Sequence, residues 1–256
     1  QILEKKLYQS KYFSRKNLIK KINFLQKYSL VINTDYSNEI TKKYFSKKFA
    51  KKYNSFAYTA VIEHENCKND VATQIFTKKG PIAFLPISNK ETSIVYSINN
   101  LDYHSEEAIR NLIRINNFKY KIMKINKVHF FELKSLDLRY YYEGKILAFG
   151  DLLHRIHPLA GQGFNMTIRD IKILLSIIKE KQDLGLPIDS SVNSKFQKKS
   201  KHKNLIFSNG IDLIHQFFNI ERKFKNKLMS KSVKFLGNNS SVNKMFTKIA
   251  DKGLLF

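Results

Sequence analysis

A chain of 256 residues with 43% hydrophobic content can bury a sizeable core in one large domain or two small ones. Its formal net charge of +25 comes almost wholly from lysine scattered along the chain, with no recognised nucleic-acid module. Nucleic acid is therefore set aside as a partner, which leaves a solvated lysine surface or attraction to an anionic membrane. The single cysteine, Cys67, excludes an intrachain disulfide and a cysteine-based zinc site, and no metal is expected. The charged N-terminus does not read as a signal peptide, and no apolar run approaches the roughly 20 residues of a membrane span.

In chain order, residues 1–28 alternate lysine with apolar residues and give no clear element. Leu30 to Asn33 reads as a short apolar strand ending at Thr34-Asp35, and Thr41 to Lys52 as an exposed basic stretch, part loop and part helix. From Phe56 the period becomes two. Strands are predicted over 56–63, 71–77, 82–87 and 92–98, with Lys78-Lys79-Gly80-Pro81 as a turn, which together make an antiparallel sheet. Ser105-Glu106-Glu107 opens a helix to about Ile115, and Val128 to Leu133 is a further strand. Lys145 to Phe149 reads as a buried strand and Met166 to Lys179 as a helix, with Ile168, Ile171, Leu175 and Ile178 on its buried face. One long or two shorter helices follow over about 190–218. The order implies an α/β layer interrupted by an antiparallel sheet and completed by an all-helical end.

The connection between strand 145–149 and helix 166–179 carries the chemistry. It reads Gly150-Asp151-Leu152-Leu153-His154-Arg155-Ile156-His157-Pro158-Leu159-Ala160-Gly161-Gln162-Gly163-Phe164-Asn165. An aspartate at a strand end can accept hydrogen bonds from hydroxyls. Glycines let a ligand approach the backbone. The start of the helix offers unpaired N–H groups and a positive dipole end to an anion. His154 and His157 lack an obvious third ligand or a nucleophile and read first as loop-packing residues. Arg169-Asp170, one turn into the helix, reads as a structural ion pair or a helix–sheet contact. No residue stands out as a general base, and the catalytic residues stay unassigned.

This motif resembles the flavin-binding motif of the FAD-dependent aromatic hydroxylases, those of ubiquinone biosynthesis above all. Gly80-Pro81-Ile82-Ala83-Phe84-Leu85-Pro86-Ile87 is similar to a second segment of that family, as is the strand Ser93 to Ser97. The resemblance implies a partial FAD-binding Rossmann-type layer with an inserted antiparallel β-sheet substrate domain and a helical C-terminus, a para-hydroxybenzoate hydroxylase-like α+β / α/β fold. On that basis residues 1–54 are a remnant of the FAD-binding domain, 55–135 the substrate domain, 136–182 the FAD-binding strand–loop–helix and 183–256 the C-terminal helices.

The resemblance further implies that Asp151 binds the ribityl chain of FAD and that Pro158 lies beside the flavin ring. Gly161, Gln162 and Gly163 run along the flavin, and the amides of Phe164 and Asn165 face its N1 and C2 carbonyl. A second family motif, Asp-Gly after a strand, contacts cofactor phosphate or the flavin in the family and falls at Asp35, which the resemblance thus implies as a cofactor-binding residue; here Tyr36 replaces the glycine and Lys42 stands where arginine is usual. The family's N-terminal Gly-x-Gly-x-x-Gly loop has no counterpart, since the chain has only nine glycines and the first is Gly80. The expectation is the C-terminal portion of a longer protein.

The implied reaction is ring hydroxylation of a ubiquinone precursor, a polyprenylated phenol, with FAD as cofactor, NAD(P)H as cosubstrate and O2 as oxidant. Tyr58, Phe84 and Tyr96 are candidates to line the substrate side, with core packing as the alternative. A basic amphipathic tail, including Phe224, Lys225, Leu228 and Lys231, would suit the anionic inner face of a membrane from the cytoplasmic side. Packing on the protein's own body is the equal alternative. Two other functions stand beside the enzyme: a non-catalytic homologue serving as an interaction subunit in a quinone-biosynthesis assembly, and another flavin-dependent oxidoreductase on the same fold.

Overall fold

Two short strands that pair in parallel frame the molecule. In the computed structural model, which describes residues 2–16, 27–99, 104–156 and 162–224, β1 (Val31–Asn33) lies beside β9 (Ile146–Ala148), with Asn33 level with Ala148. β8 (Tyr142–Glu143) pairs antiparallel on the other side of β9, giving a three-stranded sheet with β9 in the centre. The central strand is buried on both faces, as its unbroken Ile-Leu-Ala run requires. A short helix α1 (Ile2–Tyr8) precedes this frame, and α2 (Glu39–Tyr44) follows β1. Asn38 caps α2 by accepting a hydrogen bond from the Thr41 amide at 2.8 Å.

The seven-stranded antiparallel sheet comprises β2 (Lys48–His64), β3 (Thr73–Phe76), β4 (Pro81–Ser88), β5 (Glu91–Asn99), β6 (Ile122–Ile125), β7 (His129–Leu138) and β10 (His154–Arg155). Its order is β10-β7-β2-β5-β4-β3, with β6 pairing the end of β2. The ladder runs past the expected 55–135 limits because β2 and β7 keep pairing from Lys52↔Lys134 to Lys48↔Leu138. Neither β6 nor β10 was apparent in the sequence; both are short and lack a clean period of two.

Helix α3 (Glu106–Asn116) covers one face of this sheet. Ser105 caps it, accepting from the Ala108 amide, and Ile109 and Ile113 are its buried pair. They pack among Tyr58, Ile62, Ile82, Phe84, Ile94 and Tyr96. The three aromatic side chains considered as substrate-lining groups are thus core residues under α3. Strand alternation puts the cross-strand set Ala57, Ser97 and Phe131, and the next set Thr59, Val95 and Ala83, on the opposite face.

Helix α4 (Gln162–Asp183) buries Met166, Asp170, Leu174 and Ile177. This face is turned from the predicted one: Ile178 still packs against the core and Ile168 is half-buried, but Ile171 is 38% and Leu175 58% exposed. The helix is turned so that Asp170 points inward, where it has a polar partner.

Helix α5 (Ser190–Phe224) is a single 35-residue helix that touches α4, the small sheet and strands β2 and β7 of the large one. Phe196 packs among Tyr141, Phe149 and the small-sheet core. Asn193 donates to the Gly144 carbonyl, Asn204 to Asp170, and Ser208 to Asp137 on β7. Near the described end of its side chains, Asp212 accepts from Tyr53 and pairs with Lys51 on β2 at 3.1 Å. Most of the basic amphipathic tail expected after Phe224 lies outside the described residues.

Candidate flavin site

The two acidic residues singled out in the sequence leave the same end of the paired parallel strands. Asp35 follows β1 by two residues and Asp151 follows β9 by three. The Phe149 amide donates to the Asn33 carbonyl at 2.9 Å, so the two exits are tied together. Ligands of α/β layers gather at the carboxyl ends of parallel strands, and this is such an end.

Gly150 shapes the second exit. Its φ of +64° lies in the left-handed region, which turns the chain sharply from β9 into a single turn of 3-10 helix, Gly150–Leu152. Within that turn Leu152 is buried and Asp151 is exposed, so its carboxylate is open to a ligand's hydroxyl groups. At the first exit the chain closes on itself. Asp35 accepts from both the amide and the hydroxyl of Ser37 at 2.7 Å each. Those bonds, the amide's foremost, hold its carboxyl below the usual carboxylate range. Behind it Asn33 donates to Thr41 at 2.8 Å and accepts from Asn38 at 2.7 Å. The Asp35 side chain therefore acts first as a turn-former. Tyr36, in place of the family's glycine, lies against the Arg155 guanidinium, 5.3 Å from its ring centroid.

Of the glycine loop, Pro158 and Gly161 lie outside the described residues, as does His157, and Gln162 is described only in its backbone. The start of α4 is described. No acidic residue occupies its first turn. Phe164 is 73% exposed, and Asn165 is exposed beside it. A Cβ on Gly163 would meet nothing within 4 Å among the described residues, which leaves room for a flat ring against the backbone. An open glycine at the head of a helix whose first turn carries no acidic side chain fits an electron-rich ring.

Three cations absent from the sequence reading meet between the two exits. Lys48, Lys134 and Arg155 line a cavity of about 180 Å³ with Tyr36, Phe45 and Leu152. It is smaller than the roughly 300–1,000 Å³ of a drug-sized ligand pocket. No sequence pattern could have joined them: they come from the start of β2, the middle of β7 and the end of β10, which the ladder brings together.

His154, on β10, is buried. Its Nε2 donates to Asp170 Oδ2 at 2.6 Å, both side chains being almost wholly inaccessible, and Asn204 donates to the same carboxylate at 3.1 Å. Asp170 therefore pairs with His154 rather than with neighbouring Arg169, whose guanidinium stacks over Phe207 at 4.2 Å. The register partner of His154 is Asp137. Burial, offset in part by the Ser208 hydroxyl, pushes the Asp137 carboxyl up to about 6. Among the described residues no cluster of His, Cys, Asp or Glu could hold a metal ion.

Residues 59–181 match the family described as "FAD binding domain". The chain is 30% identical over 172 residues to the 3-demethoxyubiquinol 3-hydroxylase of Escherichia coli, covering 61% of this chain and 42% of that protein. It is 24% identical over 231 residues to the mitochondrial ubiquinone biosynthesis monooxygenase COQ6 of Drosophila melanogaster, covering 74% of this chain and 48% of that one. Among solved structures, p-nitrophenol 4-monooxygenase PnpA of Pseudomonas putida superposes with a TM-score of 0.71 at 11% identity, covering 87% of this chain and 59% of that one. The fold is that of the para-hydroxybenzoate hydroxylase-like flavin hydroxylases. The resemblance to FAD-dependent aromatic hydroxylases, those of ubiquinone biosynthesis included, is thereby shown, and the chain spans less than half the length of these two curated relatives.

Proposed function

We propose that this chain is the flavin-ring and substrate-roof portion of an FAD-dependent monooxygenase. Its reaction is hydroxylation of the aromatic ring of a ubiquinone precursor, a polyprenylated phenol, at the expense of NAD(P)H and O2. The observation that carries this reading is the turn at Gly150, which exposes Asp151 at the carboxyl end of two paired parallel strands. The similarity to the two ubiquinone-pathway enzymes supports the substrate class.

In this reading FAD, when bound, supplies the redox and oxygen chemistry, and the protein supplies position and environment. Asp151 accepts hydrogen bonds from the ribityl hydroxyls. Pro158 would lie beside the ring, and Gly161, Gln162 and Gly163 would run along it. The amides of Phe164 and Asn165, at the positive end of α4, stabilise negative charge on the reduced ring. Asp35 holds the neighbouring loop. The face of the large sheet opposite α3, with Ala57, Thr59, Val95 and Ser97, forms a roof that excludes water. Residues 1–54 and 136–182 then belong to the FAD-binding part, 55–135 to the roof and 183–256 to the helical end.

A substrate with a long apolar tail resides in a bilayer, and a net charge of +25 favours a peripheral seat on an anionic membrane surface. Among the described residues no helix is long and apolar enough to cross a membrane. The test uses the whole protein with a short-tailed prenyl phenol, NAD(P)H and labelled O2. One labelled oxygen atom in the ring is expected. NAD(P)H oxidation that yields only hydrogen peroxide, with every ring carbon unlabelled, would refute the assigned reaction.

A further inference from the structure

The buried His154–Asp170 pair joins the two ends of the loop assigned to the flavin. His154 sits in β10, on the strand side of the glycine loop, and Asp170 lies two turns into α4, on its helix side. Their 2.6 Å bond spans 16 residues of sequence, and both side chains are at most 1% accessible. A pair so fully removed from water is costly unless its geometry is well satisfied. Here Asn204 on α5 supplies a further donor to the carboxylate. The pair also explains the rotation of α4, because pointing Asp170 inward leaves Ile171 and Leu175 on the exposed side.

On the sheet side, His154 is fixed by pairing with Asp137 and by the bond from the Leu138 amide to the Leu153 carbonyl at 3.1 Å. Its Nδ1 has no partner among the described residues, so the Asp170 bond is the polar anchor of the ring. The direction in which α4 presents its first amides is thus set from one side by a strand and from the other by α5.

We propose that His154 is a positioning residue of the flavin site: through Asp170 and Asn204 it staples β10 to α4 and so aims the Phe164–Asn165 amides. The proposal rests on the flavin reading above, yet its mechanical half is measurable without flavin. A short buried bond between loop ends works like the outer-sphere partners of a metal site, which orient groups that themselves touch the ligand.

The test compares His154→Ala, His154→Gln and Asp170→Ala in the whole protein, by FAD titration and by amide hydrogen exchange of the flavin-free form. Glutamine can place an N–H near the position of histidine Nε2. Loss of a charged hydrogen bond predicts a rise of about tenfold or more in the FAD dissociation constant for His154→Ala. Faster exchange is expected at residues 163–166 while α3 stays protected. His154→Gln recovers most of both, and the double alanine variant is no worse than either single one. If alanine at 154 unfolds the chain, Asp170→Asn, which retains an acceptor without the charge, takes its place and must show a smaller change of the same sign. Unchanged affinity and exchange in the variants, or exchange that rises equally in α3, overturns the staple alone. A wild-type protein that binds no FAD while showing the exchange pattern overturns the link to flavin and the functional reading together.

Discussion

At Gly80 a single hydrogen atom in place of a side chain decides whether β4 can begin. Its φ is +143°, and a Cβ there would lie 2.0 Å from the Ser97 carbonyl oxygen of β5. Gly80→Ala should therefore cost about 2–3 kcal/mol, read as a lowered urea midpoint at constant slope. Asp137 makes the opposite prediction. Its folded value of about 6 stands above the ordinary 3.8, so between those pH values the folded state holds a proton that the unfolded state releases. Stability falls as pH rises through that window, and the full penalty stands above it. Asp137→Asn, which retains an acceptor for Ser208, should stabilise the protein by on the order of 1–2 kcal/mol at pH 8, with the gain shrinking toward pH 4. Chemical denaturation at the two pH values checks the sign. The sequence announced Gly80 through its Lys-Lys-Gly-Pro turn. It gave no sign of Asp137, whose burial depends on α5 crossing over β7.

Helices α4 and α5 show where periodicity succeeds and where it misleads. The existence of α4 was legible from apolar residues three and four apart. Its buried face was not, because hydropathy treats Asp170 as a surface residue and so selects Ile168, Ile171, Leu175 and Ile178. The inward set, Met166, Asp170, Leu174 and Ile177, has equally good helical spacing once the aspartate is given a buried partner. The long β2–β7 ladder was hidden for a related reason: Lys48 to Lys52 are exposed and fall in a basic stretch that reads as part loop and part helix, yet cross-strand pairing continues through them. Phe196 is the largest apolar anchor of helix α5 in the small-sheet core. Phe196 is fully buried against Tyr141 and Phe149. Phe196→Ala should cost about 3–5 kcal/mol, measured as a lower thermal midpoint, with earlier hydrogen exchange in α5 than in α3.

For the whole molecule, the family motifs located the two strand exits and the strand–loop–helix between them, and the fold follows the flavin hydroxylases over most of the chain. What could not be read from sequence is what three-dimensional closure creates: the Lys48–Lys134–Arg155 cluster, the His154–Asp170–Asn204 chain, and the assignment of Tyr58, Phe84 and Tyr96 to the α3 core rather than the roof. The central claim is that Gly150 to Asn165 forms the flavin-ring side of an FAD site, with Asp151 as its exposed acceptor. Flavin occupancy of the whole protein, read from its visible absorption after purification in FAD, tests this most directly. The account predicts a flavin spectrum in the wild type that is lost or reduced about tenfold or more in a folded Asp151→Ala variant. Equal flavin content in wild type and variant would contradict it.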